Sequence, residues 1–493
     1  MRERDHLRRR YRAVLASVGG VSALIGVLML TPLLAWPLGP VADHTLVGFL
    51  LPGLLLAAGG AFTWRRLYEP EVVLTMQEGG VIVLLIWLVA SLAGAVPLML
   101  VQGLDFTQAV FESVSGWTTT GLSVIDVERA SPAILLWRST MQLAGGAGLA
   151  ILMLAAIAGQ GGASLAAAEG RADHLVPNVR QSALLVLQIY LGYVLVGVLA
   201  LALAGMGWFD AINHAFCAVS TGGFSTRTAS IGHWDSPWIE GVMLVLMVLG
   251  NLSFLTSWCL LRGRFGAVQA NGEVRLQALL VPLFVVPLAV VTCLPLYATT
   301  GKAVRVAVFE TVSALTTTGY STVAYTDWNA FGVLLLLVLM LIGAGTCSTG
   351  GAIKQFRVHL LWRAVWQEVL RPLRPRAVVA VETMVVGDRR VAVTDAVLRA
   401  TGVFVALYLG TWLLGSIVLV ALGNTLPQAL FEFASALGTV GLSIGVTGPT
   451  TGSAMLWTET VGMLLGRLEF FVVFTGSLKL ARDLRGMIAA ERA

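Results

Sequence analysis

Thr439-Val440-Gly441-Leu442-Ser443 is the stretch on which the reading of this chain turns. A threonine and a glycine two residues apart make poor helix, but they suit an extended strand whose backbone carbonyl oxygens can be turned to one side. Such oxygens can replace the water shell of a dehydrated cation, provided that four strands surround one axis. A single copy cannot do this, so the stretch predicts further copies. Three exist. They align without gaps on a polar residue upstream: Glu112, His214, Glu310 and, for the first stretch, Glu432. Seven residues on lies a threonine (Thr119, Thr221, Thr317, Thr439), nine on a glycine (Gly121, Gly223, Gly319, Gly441) and eleven on a serine (Ser123, Ser225, Ser321, Ser443). The slot after the glycine is large and apolar: Leu122, Phe224, Tyr320, Leu442. Thr/Gly runs are common between membrane helices, but self-similarity at four places is a far stronger signal than one motif.

The pentad resembles the Thr-Val-Gly-Tyr-Gly loop of potassium channels. The longer copies, residues 111–121, 214–226, 309–319 and 431–441, resemble the TrkH/KtrB-type potassium transporters, and the match extends over nearly the whole chain. Two apolar runs precede the first copy, which makes the chain similar to the TrkH branch. The resemblance implies an all-α polytopic membrane protein for potassium uptake. Four pseudosymmetric channel-like repeats would surround one pore, preceded by two extra transmembrane helices. The expected divisions are 1–70 for the two-helix segment, 71–170, 171–270 and 271–377 for repeats one to three, and 378–493 for repeat four with a preceding cytoplasmic hairpin. The selectivity filter is expected at Thr119, Thr120, Gly121, Leu122, Thr221, Gly222, Gly223, Phe224, Thr317, Thr318, Gly319, Tyr320, Thr439, Val440, Gly441 and Leu442. Potassium is expected at Thr119, Thr120, Thr221, Gly222, Thr317, Thr318, Thr439 and Val440.

Composition leads to the same class independently. Of 493 residues 57% are hydrophobic and only 12% charged, with a mean hydropathy of +0.83, so the apolar surface belongs in a bilayer. The net charge of +5 does not mark a nucleic-acid binder, because the basic residues sit in loops between apolar runs. The cysteines, Cys217, Cys259, Cys293 and Cys347, have neither disulfide nor zinc spacing. A polytopic enzyme is disfavoured: the histidines form no His-Glu-x-x-His motif and no Gly-x-Ser-x-Gly elbow is present. A secondary cation transporter, coupled to sodium or protons or selective for sodium or ammonium, is the alternative within transport.

The N-terminus opens with arginines and an apolar run, 13–36, too long for a signal peptide and read as a retained helix. A second run, 45–64, returns and ends at Arg65-Arg66. Outer helices are predicted near 81–100, 182–204, 276–297 and 396–422, inner helices near 133–158, 238–261, 331–366 and 453–480. Two crossings per repeat make all four face the same way, unlike the inverted repeats of many secondary transporters. Of the 32 Lys and Arg, only Arg129, Arg138, Arg227, Lys302 and Arg305 fall on the filter side. This bias predicts cytoplasmic termini and filters facing outward.

Glu112, Glu310 and Glu432 are expected to begin their pore helices, where a carboxylate favours the positive helix end. They are also candidates for concentrating cations at the mouth. His214 breaks that ring and is expected to orient helices. Glycines recur roughly 25 residues beyond each filter glycine, at Gly145, Gly250, Gly343 and Gly466. Close packing explains them equally well, except in repeat three. There the run from Gly343 to Gly351 predicts a broken inner helix. Arg467, at the middle of the last helix, must face a partner or a water-filled interior; Glu469, two residues on, points elsewhere.

The resemblance implies that Gly343, Gly345, Thr346, Ser348, Thr349, Gly350 and Gly351 form an intramembrane loop that obstructs the pore with Arg467. It also implies a cytosolic ring of nucleotide-binding regulatory subunits, a homodimer and a plasma-membrane location. No nucleotide is expected on this chain, which lacks a Gly-x-Gly-x-x-Gly after a soluble strand and a Walker loop. The basic segment between repeats three and four, with apolar runs at 378–386 and 391–393 around Gly387-Asp388, predicts a hairpin lying near anionic lipid or docking a partner.

Overall fold

The computed structural model describes residues 2–38, 43–69, 72, 74–146, 148, 179–373, 383–386 and 389–492. The first two helices, Arg2–Leu28 and Asp43–Leu67, press backbone to backbone. A Cβ built on Gly26 would lie 2.6 Å from the Gly53 carbonyl oxygen. Small residues permit this approach where lipid supplies no hydrophobic drive for association.

Outer helices follow at Met76–Gln102, Val179–Leu203, Gly272–Leu296 and Asp395–Ala421. Their starts are written locally. Thr75 and Glu78 form a capping box, Asn271 accepts from the Glu273 N–H and Thr394 from the Val397 N–H, each satisfying an orphan donor of a first turn. Apolar side chains such as Leu203, 89% exposed, stand outward, as a lipid-facing surface requires. Among the described residues six helices are long and apolar enough to cross a bilayer, or eight when each of two bent pairs is one span. The protein is therefore a multi-pass membrane protein of helices. The expected hairpin exists as two short antiparallel strands, Thr383–Val386 and Arg389–Ala392, with Val386 opposite Arg389; Gly387, Asp388 and residues 378–382 lie outside the described residues.

Between outer and inner helix each repeat inserts a short helix: Phe106–Trp117, Trp208–Val219, Thr300–Leu315 and Leu426–Gly438. At about 1.5 Å per residue these cannot cross a hydrocarbon core of about 30 Å. Their buried faces pack between the longer helices, which bring the four ends together.

In repeats two and four the inner helices are not the continuous rods that the sequence suggests, whereas the break expected in repeat three is present. In repeat two Pro237–Asn251 and Phe254–Leu261 meet at 117°, and in repeat four Ser453–Arg467 meets the next helix at 99°. In repeat three Ala330–Ile342 stops, twelve non-helical residues follow, and Gln355–Leu370 resumes. The repeat-one helix runs Pro132–Gly146; the rest of its expected span lies outside the described residues. Three of the four recurring glycines are close-packing positions: a Cβ on Gly145, Gly250 or Gly466 would overlap the carbonyl oxygen of Trp117, Val219 or Leu437, at the end of that repeat's own pore helix. Only Gly343, with φ 73°, itself opens a break.

Candidate ion pathway

Each pore helix ends the same way. Thr119, Thr221, Thr317 and Thr439 have φ of 58°, 52°, 53° and 50°, in a region usually reserved for glycine after a helix. The following N–H reaches back five residues: Thr120 to Ser115 O (2.9 Å), Gly222 to Cys217 O (2.7 Å), Thr318 to Ser313 O (3.0 Å) and Val440 to Ser435 O (2.9 Å). A β-branched residue held there costs on the order of 1–3 kcal/mol. Four such outliers at one aligned position mark a functional constraint. Two residues on, Gly121, Gly223, Gly319 and Gly441 also have positive φ, from 73° to 95°, so the chain turns again where only glycine is unstrained.

The four turns surround one axis. A Cβ built on Gly121 would overlap the carbonyl oxygen of Gly222, one on Gly223 that of Thr318, one on Gly319 that of Val440, and one on Gly441 that of Thr120. Repeat one thus meets two, two meets three, three meets four, and four meets one. The large residues after the glycines are buried outward of this ring, Leu122, Phe224, Tyr320 and Leu442 being at most 2% exposed. Among the described residues no group of three or more His, Cys, Asp or Glu is placed to hold a metal ion. What the ring presents is backbone oxygen, a hard ligand suited to a dehydrated alkali cation.

The upstream anchors are neither at helix starts nor at the mouth. Asp105, Gly207, Thr299 and Thr425 cap the pore helices several residues earlier, which leaves Glu112, His214, Glu310 and Glu432 mid-helix and fully buried. They fasten the strand that leaves the filter. Glu112 accepts from the Val124 N–H (2.8 Å) and Ser123 hydroxyl (2.9 Å), and Glu432 from the Ile444 N–H (2.9 Å) and Ser443 hydroxyl (2.7 Å). Glu310 accepts from both groups of Thr322 (2.8 Å) and from the Tyr325 hydroxyl. Ser321, the aligned serine of repeat three, is replaced in this contact by its neighbour. His214 does the same work uncharged. Its Nδ1 lies 2.7 Å from the Asp210 carbonyl, which only accepts, so Nδ1 carries the proton and Nε2 receives the Ser225 hydroxyl at 2.9 Å.

Glu112 has a further partner, Arg138, at 2.7 Å, the side chains 0% and 2% exposed. Arg138 also donates to the Ser225 carbonyl (3.2 Å), joining repeats one and two. Glu112→Ala is expected to lower stability by about 3–5 kcal/mol, because it strands a buried guanidinium. The check is the thermal midpoint of the purified protein in detergent; an unchanged midpoint would show that Arg138 is satisfied without its carboxylate.

Every filter-side cation is likewise matched. Arg129 pairs with Asp126, Arg227 with Asp210, Lys302 and Arg305 with Asp235, and Arg305 also with Glu240. The hydrogen bond from Lys302, helped by the nearby Arg305 charge, holds the Asp235 carboxyl below its ordinary range. These pairs leave little positive field to repel a cation approaching from that side.

Below the ring lies the glycine-rich segment of repeat three, closed on itself by Ala344 N–H to Gly351 O (3.3 Å) and Lys354 N–H to Ile342 O (3.0 Å). It touches the filter base directly. Thr349 Oγ1 is 3.0 Å from Thr221 Oγ1, and the Gly351 N–H donates to Thr317 Oγ1 at 3.0 Å. A Cβ on Gly351 would overlap Thr439 Oγ1. Gly345 is tied to Asn251 (2.8 Å), Thr346 to Glu273 (2.8 Å), and Ser348 to Gly345 O (2.6 Å); Gly350 stacks against Thr317.

Arg467 donates to Thr349 O and to Gly145 O, both at 2.6 Å, so it joins the loop to the repeat-one inner helix. Glu469 is indeed not its partner. It sits at the bend of the last inner helix with φ 52° and receives Lys354 (2.8 Å) and Arg357 (2.7 Å). The open space among loop, bend and Trp87 is ≈ 20 Å³, about one water. The pairing of Glu469 with Lys354 and Arg357 has no local signature in the sequence beyond an acid in mid-span, which calls for a basic partner.

A four-repeat membrane protein with re-entrant helices, a central ring of backbone oxygens and a loop beneath it is a cation pathway by construction. The chain belongs to the TrkH family of cation transport proteins, whose family model matches residues 49–481. It is 32% identical over 485 residues to the Trk system potassium uptake protein TrkH of Halomonas elongata, covering 94% of this chain and 97% of that one. The Escherichia coli TrkH is 32% identical over 437 residues, covering 85% and 89%. The crystal structure of the potassium transporter TrkH from Vibrio parahaemolyticus superposes with a TM-score of 0.82 at 30% identity, covering 94% and 98%.

Proposed function

We propose that this chain takes up potassium through the ring formed at Thr119–Leu122, Thr221–Phe224, Thr317–Tyr320 and Thr439–Leu442. The observation that carries the reading is the cyclic contact of four filter glycines with four neighbouring carbonyls. The relatives that match over the same length are named as potassium uptake proteins. In this reading Arg467 and the loop from Gly343 to Gly351 form a gate, which their contacts with Thr221, Thr317 and Gly145 support. The termini are cytoplasmic, the membrane is the plasma membrane, and the repeats divide near residues 70, 170, 270 and 377. A cytosolic nucleotide-binding ring pulls on the segment beyond Lys354, with the 383–392 hairpin beside it, and two chains form a homodimer with one pore each. The relatives' membership of a Trk system supports the existence of partners.

The test is flux through the purified protein in liposomes. Potassium and rubidium are expected to pass, with sodium largely rejected because glycine stands at all four filter positions. Equal sodium and potassium permeability with the filter intact would sink the reading.

A further inference from the structure

The four repeats differ from one another at one contact in a way that pairs two substitutions. Six residues before the filter glycine, three repeats carry a serine that holds the filter strand. Ser115 accepts from the Gly121 N–H (3.0 Å) and donates to Leu122 O (2.6 Å). Ser313 donates to Tyr320 O (2.6 Å), and Ser435 accepts from the Gly441 N–H (3.0 Å). Repeat two has Cys217 there, a weak donor and weak acceptor. Three residues before the recurring inner-helix glycine, three repeats carry a buried methionine: Met247, Met340 and Met463. Repeat one has Gln142. Each inner helix packs on the pore helix of the following repeat, and Met247 lies in one buried cluster with Tyr320, Met340 with Val440 and Met463 with Leu122. The Cys217 carbonyl and the Gln142 side chain therefore both hold the repeat-two strand.

Gln142 holds the repeat-two strand at other groups than the serine holds elsewhere, and the Phe224 carbonyl, the counterpart of Leu122 O, receives the Tyr320 hydroxyl at 3.0 Å. The Gln142 Oε1 accepts from the Phe224 N–H at 3.1 Å and its Nε2 donates to Gly222 O at 2.5 Å. An N–H below one amide atom and a carbonyl below the other fix its orientation. The side chain is 0% exposed. It also explains why Gly222 stands where the other strands have Thr120, Thr318 and Val440: a Cβ at 222 would overlap the Gln142 carboxamide.

We propose that Gln142 is a specificity-determining residue. It positions the repeat-two strand and, by donating to the Gly222 carbonyl, makes that oxygen a weaker cation ligand than the other three in its ring. The inference rests on the reading of this ring as the selectivity filter. A carbonyl that already accepts a hydrogen bond has less negative field to offer an ion. The smaller and more strongly hydrated sodium ion gains most from a strong, mobile ligand set, so the clamp favours potassium.

The experiment measures the potassium-to-sodium permeability ratio in liposomes for Gln142→Met, Gln142→Met with Cys217→Ser, and Gln142→Glu, with Gly319→Ser as the filter control. Gln142→Met is expected to lower the ratio about tenfold, the worth of roughly one hydrogen bond. Adding Cys217→Ser should leave it lowered, because the contacts made by Ser115 correspond to the Gly223 N–H and the Phe224 carbonyl and do not include the Gly222 carbonyl. Gln142→Glu removes the donor at nearly constant volume and should lower the ratio as well; it decides the matter if the methionine variant does not fold. An unchanged ratio in these variants would overturn the proposal. So would a lowered ratio that Cys217→Ser restores, since the placing of the strand and not the Gly222 carbonyl would then be the cause. If Gly319→Ser also leaves the ratio unchanged, the filter reading falls with it; if only the control shifts, the filter stands and Gln142 is structural.

Discussion

Potassium uptake by Gly319→Asp protein is expected to fall on the order of 100-fold or more, equivalent to about 2.7 kcal/mol of lost barrier reduction. Gly319 has φ 82°, so any side chain strains the backbone, and its Cβ would overlap the Val440 carbonyl oxygen of the next repeat. The obstruction is backbone and cannot swing aside. A carboxylate there would also trap a cation that must leave for conduction to continue. The check is rubidium influx into liposomes with protein confirmed as folded and inserted. Because one chain closes the ring, mixing mutant with wild-type chains should leave the wild-type share of the flux intact. Dominance of the mutant over its neighbours would show a pore shared between chains.

Arg467→Ala is expected to raise potassium flux about tenfold and to weaken its dependence on the cytosolic partner proposed above. The guanidinium ties Thr349 O to Gly145 O at 2.6 Å each, beneath a ring whose threonines the same loop touches. A fixed cation in a constriction is screened far less than in water, so it repels an approaching potassium ion strongly. Removing it takes away both the charge and the tie. Deleting residues from the Gly343–Gly351 loop should have a similar effect, and the two changes together should add little, since parts of one obstruction are not independent. Unchanged flux through folded Arg467→Ala protein would make the residue a structural tie and place the gate elsewhere.

Much of the site was legible because it rests on backbone geometry that particular residues permit. Glycine at four aligned positions announces a turn closed to other residues, and the run of small, poor helix formers from Gly343 to Gly351 announces a broken helix. The anchors were harder. Sequence alone puts Glu112, Glu310 and Glu432 at helix starts, where a carboxylate is stable. Their true partners are N–H groups twelve residues onward, and a contact across a folded-back strand has no local signature. The bends at residues 251–254 and 467–471 were missed for a related reason. Their glycines read as interchangeable with packing glycines, and Gly250 and Gly466 do pack closely.

The sequence by itself determined the membrane class, the fourfold repetition, the parallel orientation of the repeats and the residues at each filter turn. These follow from hydropathy, self-similarity, charge bias and the φ that glycine allows, all properties of short stretches. Only the tertiary structure decided which carbonyl meets which glycine, that Lys354 and Arg357 hold Glu469, and that Gln142 of one repeat holds the filter strand of the next. Those contacts join residues 80 to more than 300 positions apart, and their geometry is set by how four helical units close around an axis rather than by the preference of any residue within them.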